Sequence, residues 1–213
     1  MKYDAIVVGG GPSGMMTAIT AAQRGKKILL LERMEKLGKK ILATGNGRCN
    51  LSNSYLDEGC YRGEQPGFPY RLLEEFGLQE LIQFFESLGM LMTETQGYYY
   101  PASFQASTVA ETLIGKIKTL PIQVETGFEA ETADKKKDTF RVYGNGVRYE
   151  GKNLVLAAGG CAQEKLGSNG SGYRLARGFH HRVTDTFPAL VALEGKGSCL
   201  LYTSDAADDL TRV

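Results

Sequence analysis

The sequence predicts an α/β fold that begins with a dinucleotide-binding βαβ unit, and three observations predict it. Residues 3–11, YDAIVVGGG, are an apolar strand running into glycines. The turn completes as Gly9-x-Gly11-x-x-Gly14, and an apolar helical stretch follows from Pro12 to about Arg24. A second apolar run, Lys27 to Leu31, ends in Glu32. Strand, glycine turn, helix, strand and terminal acid, in that order, are the signature of a Rossmann-like unit; a lone glycine pattern without this context would say little.

Each position has a physical reason. Gly9 permits the tight turn out of the first strand, and Gly11 lets the backbone approach a pyrophosphate. Gly14 lets the helix lie close on the sheet, while Pro12 and Ser13 open that helix with its N-terminus toward negative charge. Glu32 can accept two hydrogen bonds from ribose hydroxyls, which argues against a 2′-phosphate at that place. Arg33 beside it keeps a phosphate open. The plain alternative is a structural glycine turn and a solvated glutamate, and the full strand–helix–strand context argues against it.

The rest of the chain is read in order. A simple NAD(P) domain reaches its third strand soon after the second, whereas here residues 33–104 intervene. Within them Leu72, Leu73, Phe76, Leu81, Phe84, Phe85 and Leu88 fit amphipathic helical spacing, broken near Gly77 into two helices. Val109, Leu113, Ile117 and Leu120 mark a helix that packs on the sheet. Ile122 and Val124 open a three-stranded β-meander whose other strands fall near Thr139–Tyr143 and Arg148–Glu150, with a hairpin signal at Tyr143-Gly-Asn-Gly-Val147. Asn153–Ala158 is a buried-type strand closing on Ala158-Gly159-Gly160, and a short helix is expected from Ser171 to Gly178.

This order is similar to that of the two-dinucleotide-binding-domain flavoproteins: βαβ, a long helical insertion, a return helix, a meander, and a strand ending in a glycine turn beside the cofactor. Four passages carry a closer resemblance, to the bacterial flavoprotein family known by the names aminoacetone oxidase and 3-dehydro-bile-acid reductase. They are Gly9–Gly14, Gly38–Asn53 (GKKILATGNGRCNLSN), Gly97–Val109 (GYYYPASFQASTV) and Leu156–Leu193. The resemblance spans residues 3–194 and implies FAD as cofactor and flavin-mediated hydride or electron transfer on a small organic substrate. It leaves open whether O₂ or NAD(P)H is the redox partner. Gly167–Tyr173, GSNGSGY, resembles a family signature GSTGDGY, with Asn169 and Ser171 in place of Thr and Asp. Family members end in a further FAD-contacting segment with a Gly-Glu-x-x-Asp run, which this sequence lacks.

Residues 38–50 suit that cofactor chemically. Lys39 and Lys40 supply cationic donors for a diphosphate, and Thr44-Gly45-Asn46-Gly47 is a turn whose amides can come close to a planar ring. Arg48 and Asn50 can hydrogen-bond ring carbonyls or hold the loop. Cys49 offers a thiol near the flavin, but no C-x-x-x-x-C pair is present, so a small packing residue is its expected role. The expected cofactor-binding set is therefore Gly9, Gly11, Pro12, Ser13, Gly14, Glu32, Arg33, Lys39, Lys40, Thr44, Gly45, Asn46, Gly47, Arg48, Cys49, Asn50, Ala158, Gly159 and Gly160. His180 and His181 sit at a helix C-terminus, where capping or solvation accounts for them. One of Tyr98, Tyr99 and Tyr100 could hydrogen-bond a substrate carbonyl, and alternation along a short strand places at least one in the core. No catalytic residue is assigned, and no metal-ligand spacing, nucleophile elbow or P-loop is present.

Residues 199–213, CLLYTSDAADDLTRV, reverse-translate at their start to a transposase-type sequencing adaptor, and are set aside as translated library DNA. Three segments are therefore expected: an incomplete FAD-binding domain over 1–190, the entry to a missing substrate domain over 191–198, and the adaptor-derived tail. The protein is expected to continue past Ser198, and this C-terminally truncated chain to be weakly active or inactive. Without Asp205, Asp208, Asp209 and Arg212 of the tail the net charge is about +3, too small for a nucleic-acid footprint. The 42% hydrophobic content is ordinary for a globular chain, and the N-terminal apolar segment is too short for a membrane span. Cys49, Cys60 and Cys161 are scattered and suit a reducing cytoplasm. A small-molecule substrate, with no nucleic-acid or membrane partner, is the expectation. The alternatives are an NAD(P)-binding dehydrogenase, a non-catalytic flavin-binding protein, and an RNA-linked flavoprotein, which would need a basic face.

Overall fold

The computed structural model describes residues 2–61, 63, 65 and 67–187. The chain divides into two compact units, Met1–Val183 and Thr184–Val213, and every element below belongs to the first. The expected segments 191–198 and 199–213 lie outside the described residues.

Strand β1 (Lys2–Val8) leads through the glycine turn into α1 (Pro12–Gln23) and β2 (Ile28–Leu31). All four residues of β2 are buried, because the sheet is covered on both faces. Ile28 and Leu30 join the cluster formed with Met15, Ile19, Val109, Leu113 and Phe85, while Leu29 and Leu31 join Ile6, Val8, Phe128, Val142 and Leu175 on the opposite face. That is the two-residue period of a strand written in aliphatic side chains.

The insertion contains β3 (Ser52–Asn53), α2 (Gly67–Glu75), α3 (Leu78–Ser87), β4 (Met92–Thr95) and β5 (Tyr98–Pro101). The break between the two helices falls at Gly77, whose backbone N–H donates to Glu80 at 2.9 Å. Phe85 is buried in the cluster with Val109 and Leu113, but Leu72 and Phe76, at helical spacing with Phe68, are about half exposed. The apolar stripe at α2 thus has no cover among the described residues. Strands β3, β5 and β4 form a small antiparallel sheet. Tyr98 is exposed and Tyr99 and Tyr100 are only half-buried, so the expected core tyrosine is not there; Pro101 is the buried member of that strand.

Helix α4 (Ala106–Lys118) returns the chain, and β6 (Ile122–Glu125) follows. Here the structure corrects the sequence reading. Strand β6 does not open the meander; it pairs parallel with β2, Ile28 opposite Ile122, and is the third strand of the Rossmann sheet. The meander is β7 (Thr132–Lys136), β8 (Thr139–Gly144) and β9 (Val147–Leu156). Its first member, TADKK, has no apolar alternation because it is an exposed edge, and its lysines discourage further pairing. Nor are Arg148–Glu150 and Asn153–Ala158 separate strands. They form one strand, β9, antiparallel to β8 in its first half and parallel to β1 in its second. Gly151 reads as a break in the sequence, yet a Cβ there would stand 2.8 Å from Ile6 Cγ1, so the glycine makes room for a core side chain. The sheet order is β6-β2-β1-β9-β8-β7. Helix α5 (Ser171–Gly178) then packs Leu175 into the second cluster.

Leu113 is 1% exposed at the centre of the α4 face. Leu113→Ala is expected to lower unfolding free energy by about 2–5 kcal/mol, read as a shifted denaturant midpoint at unchanged slope.

Candidate functional site

The groove that the glycine turn opens onto lies at the C-terminal ends of β1, β2 and β9. It encloses about 410 Å³. Within the range of ligand pockets, about 300–1,000 Å³, it is walled by Gly9, Gly11, Pro12 and Ser13 on one side, Glu32 and Lys39 on another, and Ala158 and Gly159 on the third. The strand ends bring these residues together although up to 150 positions separate Gly9 from Gly159.

The glycines divide the work. Gly9 has φ +114° and a Cβ there would overlap the Ala157 carbonyl, so the turn admits no side chain. Gly14 faces the Gly9 carbonyl oxygen, again with no room for a Cβ. Gly11, by contrast, has nothing within 4 Å of where its Cβ would be. That space is the groove itself, in front of the N-terminus of α1, where no side chain caps the first-turn amides. A diphosphate fits this gap: it finds room, unoccupied backbone donors and the positive end of a 12-residue helix.

Glu32 stands just past the end of β2, in the wall of the groove. Its Oε2 accepts from the Gly10 N–H at 2.6 Å and its Oε1 from the Met34 N–H at 2.7 Å. These two bonds fix the carboxylate at the groove rim, and each oxygen keeps a lone pair for a hydroxyl. Lys40 also lines the groove. Its ammonium donates to the Ala162 carbonyl at 2.9 Å and to the buried Ser168 Oγ at 2.7 Å, so it ties the loop after β2 to the segment after β9. Lys36, which the sequence reading passed over, lines the groove beside Lys39. Met34, Gly38, Leu166, Gly167 and Ser168 were also missed, since no residue type among them advertises a ligand contact.

The other expected residues lie elsewhere. Thr44, Gly45, Asn46, Gly47 and Arg48 form an exposed turn with left-handed backbone at Gly45 and Asn46. Arg33 and Gly160 do not wall the groove. Cys49 is buried in the core with Phe85 and Val109, and with Thr44 and Asn50 it lines an apolar pocket of about 320 Å³ that shares Pro12 and Lys40 with the groove. Burial pushes its thiol up from the ordinary range, partly offset by the Thr44 hydroxyl, in keeping with a packing residue. Cys60 and Cys161 are exposed. An aromatic disulfide reagent at pH 8 is therefore expected to modify Cys60 and Cys161 rapidly and Cys49 only on unfolding, as peptide mapping would show. His180 and His181 are exposed, and their main-chain N–H groups donate to the Arg177 and Ala176 carbonyls at the end of α5. Asn169 Oδ1 accepts from the Ser171 N–H at 3.1 Å, so the substituted signature still makes a tight turn into the helix. Among the described residues no acidic, histidine or cysteine cluster could hold a metal ion, and no helix is long and apolar enough to cross a membrane.

Residues 3–203 match the HI0933-like protein Rossmann domain. The chain belongs to this family. Among its relatives, the 3-dehydro-bile acid delta(4,6)-reductase of Clostridium scindens is 42% identical over 192 residues, covering 89% of this chain and 47% of that protein. A ribosomal RNA dihydrouridine synthase of Escherichia coli is 30% identical over 191 residues, covering 89% of this chain and 48% of that protein. The HI0933-like chain thus spans about half the length of the curated relatives it matches.

Proposed function

We propose that this HI0933-like chain is the dinucleotide-binding part of an FAD-dependent oxidoreductase acting on a small organic substrate. The observation that carries the reading is the open space at Gly11 before an uncapped helix N-terminus, with the Glu32 carboxylate fixed at the end of β2. Glu32 would take the ribose hydroxyls, and the amides of the Gly9–Gly14 turn, with Lys39, would hold the diphosphate. The exposed turn Thr44–Arg48 and Asn50 would border the flavin ring, and Ala158 and Gly159 would lie along the cofactor. Gly14 serves by packing, and Cys49, held in the core beside Thr44 and Asn50, would be a passive neighbour of the flavin. When bound, the flavin supplies hydride or electron transfer, and the protein supplies orientation and electrostatics.

The relatives' names support a reductive direction. One names reduction of ring double bonds in a steroid acid, the other a uridine that has gained two hydrogens; both describe hydrogenation of a carbon–carbon double bond. We propose the same reaction class here, with NAD(P)H recharging the flavin and a free small molecule, not RNA, as acceptor.

The test uses the complete gene product and, beside it, the 213-residue chain. Stoichiometric FAD is expected in the complete protein, bleached anaerobically by NADH or NADPH and recoloured by an unsaturated cyclic ketone. The shorter chain is expected to hold flavin weakly or not at all. A complete protein that carries no flavin and passes hydride directly from NAD(P)H would establish the plain dehydrogenase instead. Reoxidation by an rRNA fragment alone would move the substrate to nucleic acid.

A further inference from the structure

A second cleft, about 980 Å³, runs between residues 33–42 and the outer face of α4. It meets the glycine groove along Met34, Lys36 and Lys39, which line both. Its composition is unlike the groove's. Leu37, Leu42, Ala110 and Ile114 give it an aliphatic floor and wall, and Leu42 is 49% exposed. Helix α4 presents Ser107, Ala110, Ile114 and Lys118 along one face, spaced three, four and four residues apart.

Four cations stand around this floor: Arg33, Lys36, Lys39 and Lys118. None of them takes part in an ion pair among the described residues. The acids lining the cleft are Glu35 and Glu111, so positive charge exceeds negative by two. Arg33 adds an independent sign: its Nε is buried and has no hydrogen-bond partner among the described residues. A buried donor left unpaired is destabilising, and an acceptor entering the cleft would relieve it.

We propose that this cleft is a second ligand site, for an amphipathic carboxylate. The aliphatic floor takes a hydrocarbon body, and the carboxylate lies among Arg33, Lys36 and Lys118. A nucleotide is disfavoured because the lining contains no aromatic ring on which a base could stack. A neutral lipid is disfavoured because it would leave the cation ring and the Arg33 donor unanswered. The site does not depend on the flavin reading, and its test is run on the 213-residue chain without cofactor.

The probe is dansylaminoundecanoate, whose emission rises in apolar surroundings, compared with its methyl ester. Saturable binding of the acid is expected, displaced by decanoate. The ester should bind at least about tenfold more weakly, since a charge-assisted hydrogen bond is lost. Lys118→Glu and Lys36→Glu, both at exposed positions, and Ile114→Asp should each weaken the acid at least about tenfold, while Lys136→Glu on β7 should leave it unchanged. Circular dichroism checks that each variant is folded. Equal binding of acid and ester, unchanged affinity in Lys118→Glu, or full displacement by acetate or inorganic phosphate would overturn the proposal, the last because a bare anion site needs no apolar floor.

Discussion

Gly14→Ala is expected to destabilise the protein by at least about 3 kcal/mol, against the usual direction for a helical glycine. Replacing a solvent-facing glycine inside a helix by alanine stabilises by about 0.5–1 kcal/mol, because alanine loses less backbone freedom on folding. Gly115 supplies that ordinary case within the same molecule: it lies exposed in α4 with nothing within 4 Å of its would-be Cβ. Gly14 faces the Gly9 carbonyl oxygen, and its methyl would force α1 away from the turn. Thermal melts of Gly14→Ala and Gly115→Ala should therefore move in opposite directions, and the first variant should lose whatever dinucleotide the complete protein retains. Two shifts of the same sign would show that the contact between helix and turn is not rigid.

Glu32→Ala is expected to be the second large effect. The carboxylate accepts two backbone N–H groups, from Gly10 and Met34, one on each side of the groove mouth. Its removal leaves both donors short of a partner and frees the segment after β2, for a loss of about 2–3 kcal/mol. Glu32→Gln keeps one acceptor oxygen and should recover part of that stability. If Glu32 also takes ribose hydroxyls, FAD affinity of the complete protein should fall by about 10- to 100-fold in Glu32→Ala, measured by flavin fluorescence. A stability loss without an affinity loss would leave Glu32 as a loop tether alone.

How much of this was legible in the sequence depends on how local each signal is. Strand β1, helix α1, strand β2 and helix α5 were readable because each is bounded by its own punctuation: the glycine turn, Glu32, and the Gly170–Ser171 entry. The parallel placement of β6 was not, since Ile122 and Val124 suit a meander and a Rossmann sheet equally and pairing partners are not written in a strand's own residues. Strand β7 was missed because an edge protected by charge carries no apolar alternation. At the site, Gly9, Gly11, Glu32 and Lys39 announced themselves by type and spacing. Lys40 was assigned to a phosphate on charge alone, and only its partners Ala162 and Ser168, far along the chain, reveal the tie it makes.

Strand β9 sets a timetable for synthesis. The centre of the sheet is the pairing of β1 with β9, which matches Lys2 to Glu150 and Val8 to Leu156. The first strand to leave the ribosome must therefore wait for one roughly 150 residues later, a delay of roughly 7–30 s at about 5–20 residues per second. Through that interval Ile6, Val7 and Val8 have only β2 beside them, and one flank of the most apolar strand stands open. Nascent chains of this protein should be chaperone clients until residue 156 has emerged, and a slow codon run just before it would prolong the exposure where the chain is most prone to pair with a neighbour.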